Sequence, residues 1–373
     1  MNGNIKIANL FGIPFYINPS WLVVLALVTF DYGYQLSGII RSFGPVPWLL
    51  GLVTALLLFA SVLAHELGHA LVAISQGIKV KSITLFLFGG LAVLEKESKG
   101  PLDSFLVAIA GPAVSLALFG LLTLLNNSFS LALPLRLVVE ILASLNLVLG
   151  LFNLIPGLPL DGGNILKAIV WKITGDPNKG ILIASRFGQF FGFMAIAIGL
   201  LGVLKIVNFG GIWTFFIGLF LLQNANLSAQ SVQFQQQLED VTAADVMIER
   251  APIAPEDLNL REFANNYIIG QKQWKRFLLK DDQGKLSGVL TVENLKTVPT
   301  SFWSQTPLTQ LKEKIDDIAT VSAQTPLLDV LKLMDQKMAN ELLVISESEE
   351  ILGLVDRISI GQFLQKRSLA SSS

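Results

Sequence analysis

The chain contains two histidines, which are four residues apart in the segment His65-Glu66-Leu67-Gly68-His69. Residues four apart share one face of a helix, so both imidazoles can reach one metal ion while Glu66 stands beside them. Paired histidines with an adjacent glutamate are typical of hydrolytic zinc sites, in which the carboxylate activates a water molecule. The segment therefore predicts His65 and His69 as zinc ligands and Glu66 as a catalytic base.

These three residues lie inside a long apolar segment. Ionisable side chains at membrane depth are costly, and the cost favours a functional explanation. The alternatives are a chance match on a packed helix and a relic site without activity. The position also predicts that the hydrolytic chemistry takes place within a bilayer.

The composition is that of a membrane protein. The chain is 52% apolar and 15% charged, which is unlike ordinary soluble domains. A spanning helix needs about 20 mostly apolar residues. Six segments satisfy this requirement, roughly 19–40, 48–75, 104–125, 134–156, 184–205 and 210–227. We predict a multi-span α-helical membrane domain over residues 1–230.

The distribution of charge predicts the orientation of this domain. With the N-terminus inside, nine Lys and Arg residues lie on the cytoplasmic side, and three lie outside, namely Arg41, Arg136 and Lys205. Cytoplasmic loops carry an excess of Lys and Arg, so the N-terminus and the C-terminal region are predicted to be cytoplasmic. A net charge of −1 without a basic cluster argues against nucleic acid as a partner.

A tetrahedral zinc site needs a third protein ligand, because the fourth position stays open for water. The chain has no cysteine and no further histidine, so a carboxylate must supply this ligand. Asp161 is the best candidate, because it follows the fourth span at the depth of the histidines. The prolines and glycines around it can also bend the chain so that its side chain turns inward. Its alternative role is to cap a helix that starts at Gly162.

Residues 80–94 lie between the second and third spans and are too short to cross a membrane. Their β-branched and aromatic residues around Gly89-Gly90 predict a hairpin or re-entrant segment at the cytoplasmic face. The edge of such a segment could hold an unwound substrate by strand pairing.

From about residue 230 the pattern becomes that of a soluble α/β domain. Strand pairs are predicted at 277–280 with 286–290 and at 342–345 with 351–355, and a helical pattern precedes each pair. This internal repeat predicts two similar modules packed together, at 231–300 and 301–367.

Separated motifs in this chain resemble those of the site-2 protease family of intramembrane zinc metalloproteases. The motifs are His65-Glu66-Leu67-Gly68-His69 on the second span, Gly111-Pro112 on the third, and Asn153…Pro156…Pro159…Asp161-Gly162 after the fourth. The two C-terminal modules resemble a tandem of CBS domains. The resemblance implies that His65, His69 and Asp161 bind one zinc ion and that Glu66 is the catalytic base. It also implies that the substrate is the transmembrane segment of another membrane protein.

Other residues of these motifs have two interpretations. Asn153 is a candidate donor to the oxyanion of the transition state, provided that the fourth span ends near the metal. Its alternative is an interhelical hydrogen bond. Gly111-Pro112 is expected to permit close helix packing or a kink. Many family members carry Asn three residues after this proline, where this chain has Ser115, so the resemblance carries over no polar contact there.

The CBS pair also has two interpretations. The first is a dimerising or merely structural module, through which the chain would form a homodimer. The second is an adenine-nucleotide sensor that regulates the protease. CBS sites that bind nucleotide commonly end in Thr/Ser-x-x-Asp. The equivalent segments here are Thr291-Val292-Glu293-Asn294 and Asp356-Arg357-Ile358-Ser359, and both depart from that pattern.

Two further classes of function remain open from the sequence. One is a transporter or channel gated by the CBS pair, and the other is a catalytically silent scaffold that binds client proteins. A transporter often repeats the halves of its membrane domain, and the histidine segment has no second copy.

Overall fold

The longest apolar runs of the sequence form the long helices of the structure. A computed structural model describes all residues except 1–2, 11, 41–43, 88, 250–252, 270–275, 284–285, 314–318, 347–350 and 372–373. Arg41, one of the charges expected outside, therefore lies outside the described residues. The chain divides into two units, Met1–Val232 and Gln233–Ser373.

The first unit is mainly helical. Its helices are α1 (Ser20–Ile39), α2 (Val46–Ser75), α3 (Pro101–Ser128), α4 (Leu133–Asn153), α5 (Asp161–Thr174), α6 (Pro177–Val203) and α7 (Ile212–Leu238). All of these except α5 are long and apolar enough to cross a membrane, which confirms the six predicted spans. Helices suit a bilayer because every backbone hydrogen bond is made within the segment.

From the sequence, helix α5 was considered only as the alternative in which Asp161 caps a helix that starts at Gly162; the helix is present and starts at Asp161. It has 14 residues, which is too short to span, and it ends at Gly175, whose φ of 74° is left-handed. Helix α6 then starts at once, because the Asp176 side chain accepts a hydrogen bond from Asn178 N at 2.8 Å and Pro177 occupies the first turn.

A four-stranded sheet in the first unit has the order β1-β2-β3-β4, with strands Ile5–Leu10, Ile13–Ile17, Val80–Phe86 and Gly89–Leu94. The hairpin of β3 and β4 confirms the prediction for residues 80–94, whereas β1 and β2 were not predicted. Ile13, Phe15 and Ile83 form a buried cluster with Ala70 of α2. The sheet is thereby fixed near the histidines, with β4 at its edge.

The second unit contains two small sheets. Its strands are β5 (Ile248–Glu249), β6 (Ile253–Pro255), β7 (Arg276–Lys280), β8 (Leu286–Thr291), β9 (Thr320–Ser322), β10 (Glu341–Ile345) and β11 (Ile351–Asp356). The sheet orders are β5-β11-β10-β9 and β6-β7-β8. Its helices are α8 (Ala243–Val246), α9 (Leu260–Phe263), α10 (Val292–Lys296), α11 (Leu327–Gln336) and α12 (Arg357–Ser371). The predicted strand pairs are β7 with β8 and β10 with β11, so the repeat is confirmed.

Candidate metal centre and active-site cavity

Helix α2 and the start of α5 bring three potential metal ligands together. His65 Nε2 lies 3.0 Å from Asp161 Oδ2, and His69 Nε2 lies 3.2 Å from the same oxygen. The two Nε2 atoms are 3.3 Å apart. Asp161 lies 96 positions after His65 in the sequence. The fold therefore brings its carboxylate oxygen and the two Nε2 atoms to one point.

These distances fit a tetrahedral zinc site. With zinc bonds of about 2.0 Å, two ligand atoms of a tetrahedral ion lie about 3.3 Å from each other. The three observed separations, 3.0, 3.2 and 3.3 Å, are close to that value. The donor set of two imidazoles and one carboxylate also matches zinc sites that keep a fourth position for water.

The hydrogen bond at Nδ1 of His69 fixes the tautomer of that ring. His69 Nδ1 lies 2.6 Å from the carbonyl oxygen of Val107. A carbonyl oxygen only accepts hydrogen bonds, so Nδ1 carries the proton and the neutral ring presents a lone pair at Nε2. That lone pair and Asp161 Oδ2 repel each other unless a cation or a proton lies between them. The arrangement therefore fits a bound metal ion.

One face of α3 supports both imidazoles. Val107, Gly111 and Ser115 are spaced by four residues, and α3 packs beside α2. Val107 O accepts from His69, and Ser115 Oγ lies 2.9 Å from His65 Nδ1 in a fully buried position. For His65 to offer Nε2 to a metal, its Nδ1 must donate to Ser115 Oγ. Ser115 thus makes a polar contact that the resemblance had not carried over.

Gly111 leaves space for the metal centre itself. A Cβ atom built on Gly111 would lie 2.6 Å from His65 Nε2 and closer still to His69 Nε2. Any side chain at this position would enter the space between the imidazoles and displace them. The expectation of close packing at Gly111-Pro112 is confirmed, but the close neighbours are the two imidazole rings.

Asp161 reaches the histidines because a short loop ends there and α5 begins. The loop after α4 is held on α6, since Leu158 N donates to Ala184 O at 3.1 Å. The N-cap residue of α5 is Leu160, and no side chain caps the helix. The alternative role of Asp161 as a helix cap is therefore wrong, and its side chain contacts both histidines instead.

Glu66 faces the edge strand of the sheet. A Cβ atom built on Gly90 of β4 would lie 2.7 Å from Glu66 Cδ and 2.8 Å from Glu66 Oε1. The backbone of β4 therefore passes directly beside the carboxylate. An extended peptide lying along this edge would be adjacent to both Glu66 and the imidazoles.

A cavity of about 650 Å³ opens at this point. Its wall contains His65, Glu66, His69 and Asp161, together with β4 residues and the polar residues Asn153, Asn164, Lys167 and Asn224. Asn153, the last residue of α4, donates from Nδ2 to Leu149 O at 3.1 Å. This bond lies within α4, so the interhelical hydrogen bond considered for Asn153 is not formed among the described residues.

The contacts that several residues make around the three ligands and the cavity were not predicted from the sequence. Val107 and Ser115 could have been found from their spacing of four around Gly111, which places all three on one helix face. Lys167 and Asn164 follow Asp161 on α5, and the sequence had indicated that helix only as the alternative in which Asp161 caps it. The approach of Gly90 to Glu66 has no sequence signal beyond the paired glycines.

Comparisons with known proteins show the family to which the chain belongs. Peptidase family M50 matches residues 53–132 and 120–195, and the CBS domain family matches residues 312–364. A Synechocystis sp. protein named "Putative zinc metalloprotease sll0528" is 56% identical over 365 residues, which is 98% of this chain and 96% of that protein. The chain belongs to peptidase family M50.

Two further proteins are similar to this chain. Zinc metalloprotease MJ0392 of Methanocaldococcus jannaschii is 26% identical over 361 residues, which covers 96% of both chains. The solved site-2 protease from the same organism is 31% identical, with a TM-score of 0.44 over 61% of this chain and 95% of that one. This M50 member is a zinc metalloprotease with six membrane-length helices among its described residues, and its C-terminal α/β unit contains a CBS domain over residues 312–364.

Proposed function

We propose that His65, His69 and Asp161 hold one zinc ion and that Glu66 is the general base of peptide-bond hydrolysis. The scissile bond would lie within or beside a transmembrane segment of another membrane protein. The convergence of the three donor atoms at separations of 3.0 to 3.3 Å supports this assignment most directly.

The side chains around the metal position divide the chemistry among them. Zinc, when bound, supplies a Lewis acid that polarises the scissile carbonyl and makes water acidic enough to attack it at neutral pH. Glu66 accepts the proton of the attacking water and delivers it to the leaving amide nitrogen. Asn153 donates to the oxyanion after its amide turns away from Leu149 O.

The edge of β4 is the proposed holder of the substrate backbone. A helical substrate hides its carbonyl groups in hydrogen bonds, so its segment must unwind before it is cut. Within the described parts of the chain, β4 pairs with β3 alone at one end of the sheet, and it lines the cavity, so a substrate segment could add to it as a further strand. Pairing there would place an extended peptide between Glu66 and α5.

We further propose the orientation predicted from the Lys and Arg bias, with the N-terminus and the CBS unit in the cytoplasm. The membrane would be a prokaryotic plasma membrane or a plastid membrane. A homodimer formed through the CBS unit also stays a prediction, which the mass of the purified particle in detergent would test.

Adenine nucleotide is a weaker proposal for the CBS unit. Asn294 has an amide where the nucleotide-binding pattern has a carboxylate for the ribose. Its side chain accepts a hydrogen bond from Thr291 Oγ1 and donates one to Leu311 O. Ser359 is likewise bonded to Asp356, which caps α12. We therefore propose a structural or dimerising role for this unit ahead of nucleotide sensing.

Reconstituted cleavage of a single-span membrane substrate tests the proposal. The wild type is expected to contain one zinc ion and to cut the substrate, and Glu66→Gln is expected to keep zinc but lose cleavage. Asp161→Ala is expected to lose zinc. Undiminished cleavage by Glu66→Gln would remove Glu66 as base, and unchanged zinc in Asp161→Ala would remove the third ligand. Cation flux without cleavage would favour the transporter, whereas substrate binding without either would favour the scaffold.

A further inference from the structure

One face of α5 lines the cavity over most of the helix. Asp161, Asn164, Lys167 and Trp171 are spaced by three, three and four residues, and all of them belong to the cavity wall. With a rise of about 1.5 Å per residue, Lys167 lies about 9 Å further along the helix axis than Asp161. The helix thus presents a metal-binding carboxylate, a neutral amide and then an ammonium group.

The opposite wall of the cavity runs beside this face. It begins with Gly90 next to Glu66 and continues through β4 to Glu97, which also lines the cavity. Glu97 Oε2 lies 3.5 Å from Lys167 Nζ. Residues of α5 and of the segment from Gly90 to Glu97 therefore line the same cavity and contact each other at this ion pair. We call the space between them the passage, and Lys167 lies along it between Asn164 and Trp171.

The ammonium group of Lys167 is poorly satisfied by Glu97. The Lys167 side chain is 15% exposed, whereas that of Glu97 is 86% exposed. An ammonium has three donors, and among the described residues its partner is this one oxygen at 3.5 Å. The exposed pair of Lys332 with Asp329, in contrast, is 2.8 Å long. A long contact to an exposed carboxylate contributes little and is easily replaced.

We propose that Lys167 is a specificity-determining residue that binds an acidic side chain of the substrate about three residues from the scissile bond. The inference rests on the proposed function, because it places the scissile bond at the metal. An extended chain advances about 3.3 Å per residue, so 9 Å corresponds to about three residues. The substrate carboxylate displaces Glu97 and forms a shorter, better-aligned bond to the ammonium.

Asn164 supports the same passage. Its side-chain amide lines the cavity midway between Asp161 and Lys167 and forms no hydrogen bond within the described parts of the chain. An amide offers both donors and an acceptor, which suits the backbone of an extended peptide. A lipid headgroup fits this place less well, because Lys167 is in the cavity wall and largely covered by protein.

The test uses the full-length, zinc-loaded enzyme with a set of single-span peptides in vesicles. The peptides differ only in whether Glu, Gln or Lys occupies each position within five residues of the scissile bond. The wild type is expected to show about tenfold higher kcat/KM for Glu than for Gln about three residues from that bond, on one side of it. Lys167→Gln is expected to lose this preference, and Lys167→Glu is expected to prefer the Lys peptide.

Lys172→Gln is the matched control, because Lys172 lies on the same helix but not in the cavity wall. It is expected to keep the preference, and Glu97→Gln is expected to keep or increase it. A preference that is absent in the wild type, or present in Lys167→Gln, overturns the proposal. So does an effect of Lys167 that follows the content of anionic lipid in the vesicles and not the peptide.

A binding measurement separates failure of this inference from failure of the proposed function. Anisotropy of labelled peptides with Glu66→Gln reports affinity without cleavage, and the Glu peptide is expected to bind about tenfold more tightly than the Gln peptide. Equal affinities contradict the role of Lys167 even if the enzyme cleaves. A preserved difference without any wild-type cleavage contradicts the proposed hydrolysis and leaves the acidic subsite standing.

Discussion

Replacement of Gly111 by alanine tests the metal centre most directly. A new Cβ atom would lie 2.6 Å from His65 Nε2, whereas ordinary contacts begin at 3.4 Å, so the ring must retreat by at least 3.4 − 2.6 = 0.8 Å. Zinc–ligand distances vary by about 0.2 Å in working sites. At least one imidazole therefore leaves the ion. The zinc affinity is expected to fall by more than about 100-fold, beyond the loss caused by removing an outer hydrogen-bond partner.

The fold is expected to survive this change. Alanine favours a helix over glycine by about 1 kcal/mol. The metal-free variant is therefore expected to be at least as stable as the metal-free wild type. Zinc content and chelator competition measure the affinity, and thermal unfolding with and without zinc measures the linkage. Zinc should raise the Tm of the wild type but not that of Gly111→Ala.

Gly120→Ala is the matched control, because Gly120 is on the same helix and a Cβ there meets nothing within 4 Å. It should bind zinc like the wild type. If Gly111→Ala also retained wild-type zinc content and affinity, the two imidazoles would not share an ion at the position that we infer.

Three further predictions follow from other contacts. Ser115→Ala leaves the Nδ1 proton of His65 without an acceptor. We expect the zinc affinity, measured by chelator competition, to fall by about 10- to 100-fold. An unchanged affinity would reduce Ser115 to a packing role. Asn153→Ala should lower kcat by about 100-fold or more with zinc content unchanged; a lower Tm at an unchanged rate would indicate a purely structural amide. In the second unit, the hydrogen bond from Lys312, assisted by Ser287, holds the pKa of Glu256 below its ordinary value of 4.5. The resulting stability is present above pH 4.5 and is lost as pH falls through the lower, folded-state pKa. Hydrogen-exchange protection factors in β6 and β7, which are corrected for the intrinsic exchange rate at each pH, should therefore fall on acidification more steeply in the wild type than in Lys312→Gln, and equal pH profiles would contradict the ion pair.

The membrane helices and the strand repeat could be predicted from the sequence because their signals are local. An apolar run of sufficient length fixes a spanning helix, and alternating apolar strands around a turn fix a hairpin. Helix α5 was considered only as an alternative, because it is short, amphipathic and adjacent to a glycine- and proline-rich loop. Strands β1 and β2 pair with each other, but they join the sheet only where β2 pairs with the distant β3, as Phe15 does with Ile83, so their place in a sheet has no local signal.

The chain's amino acids by themselves determined which groups can do chemistry. With two histidines and no cysteine, a zinc site in this chain requires a carboxylate, and the spacing of four places both imidazoles on one helix face. The tertiary structure alone decided which carboxylate reaches them, which ring nitrogens face the metal and which backbone borders Glu66. Those choices depend on α3, α5 and β4 meeting α2 in space, and such packing is set by contacts between distant segments that no local pattern encodes.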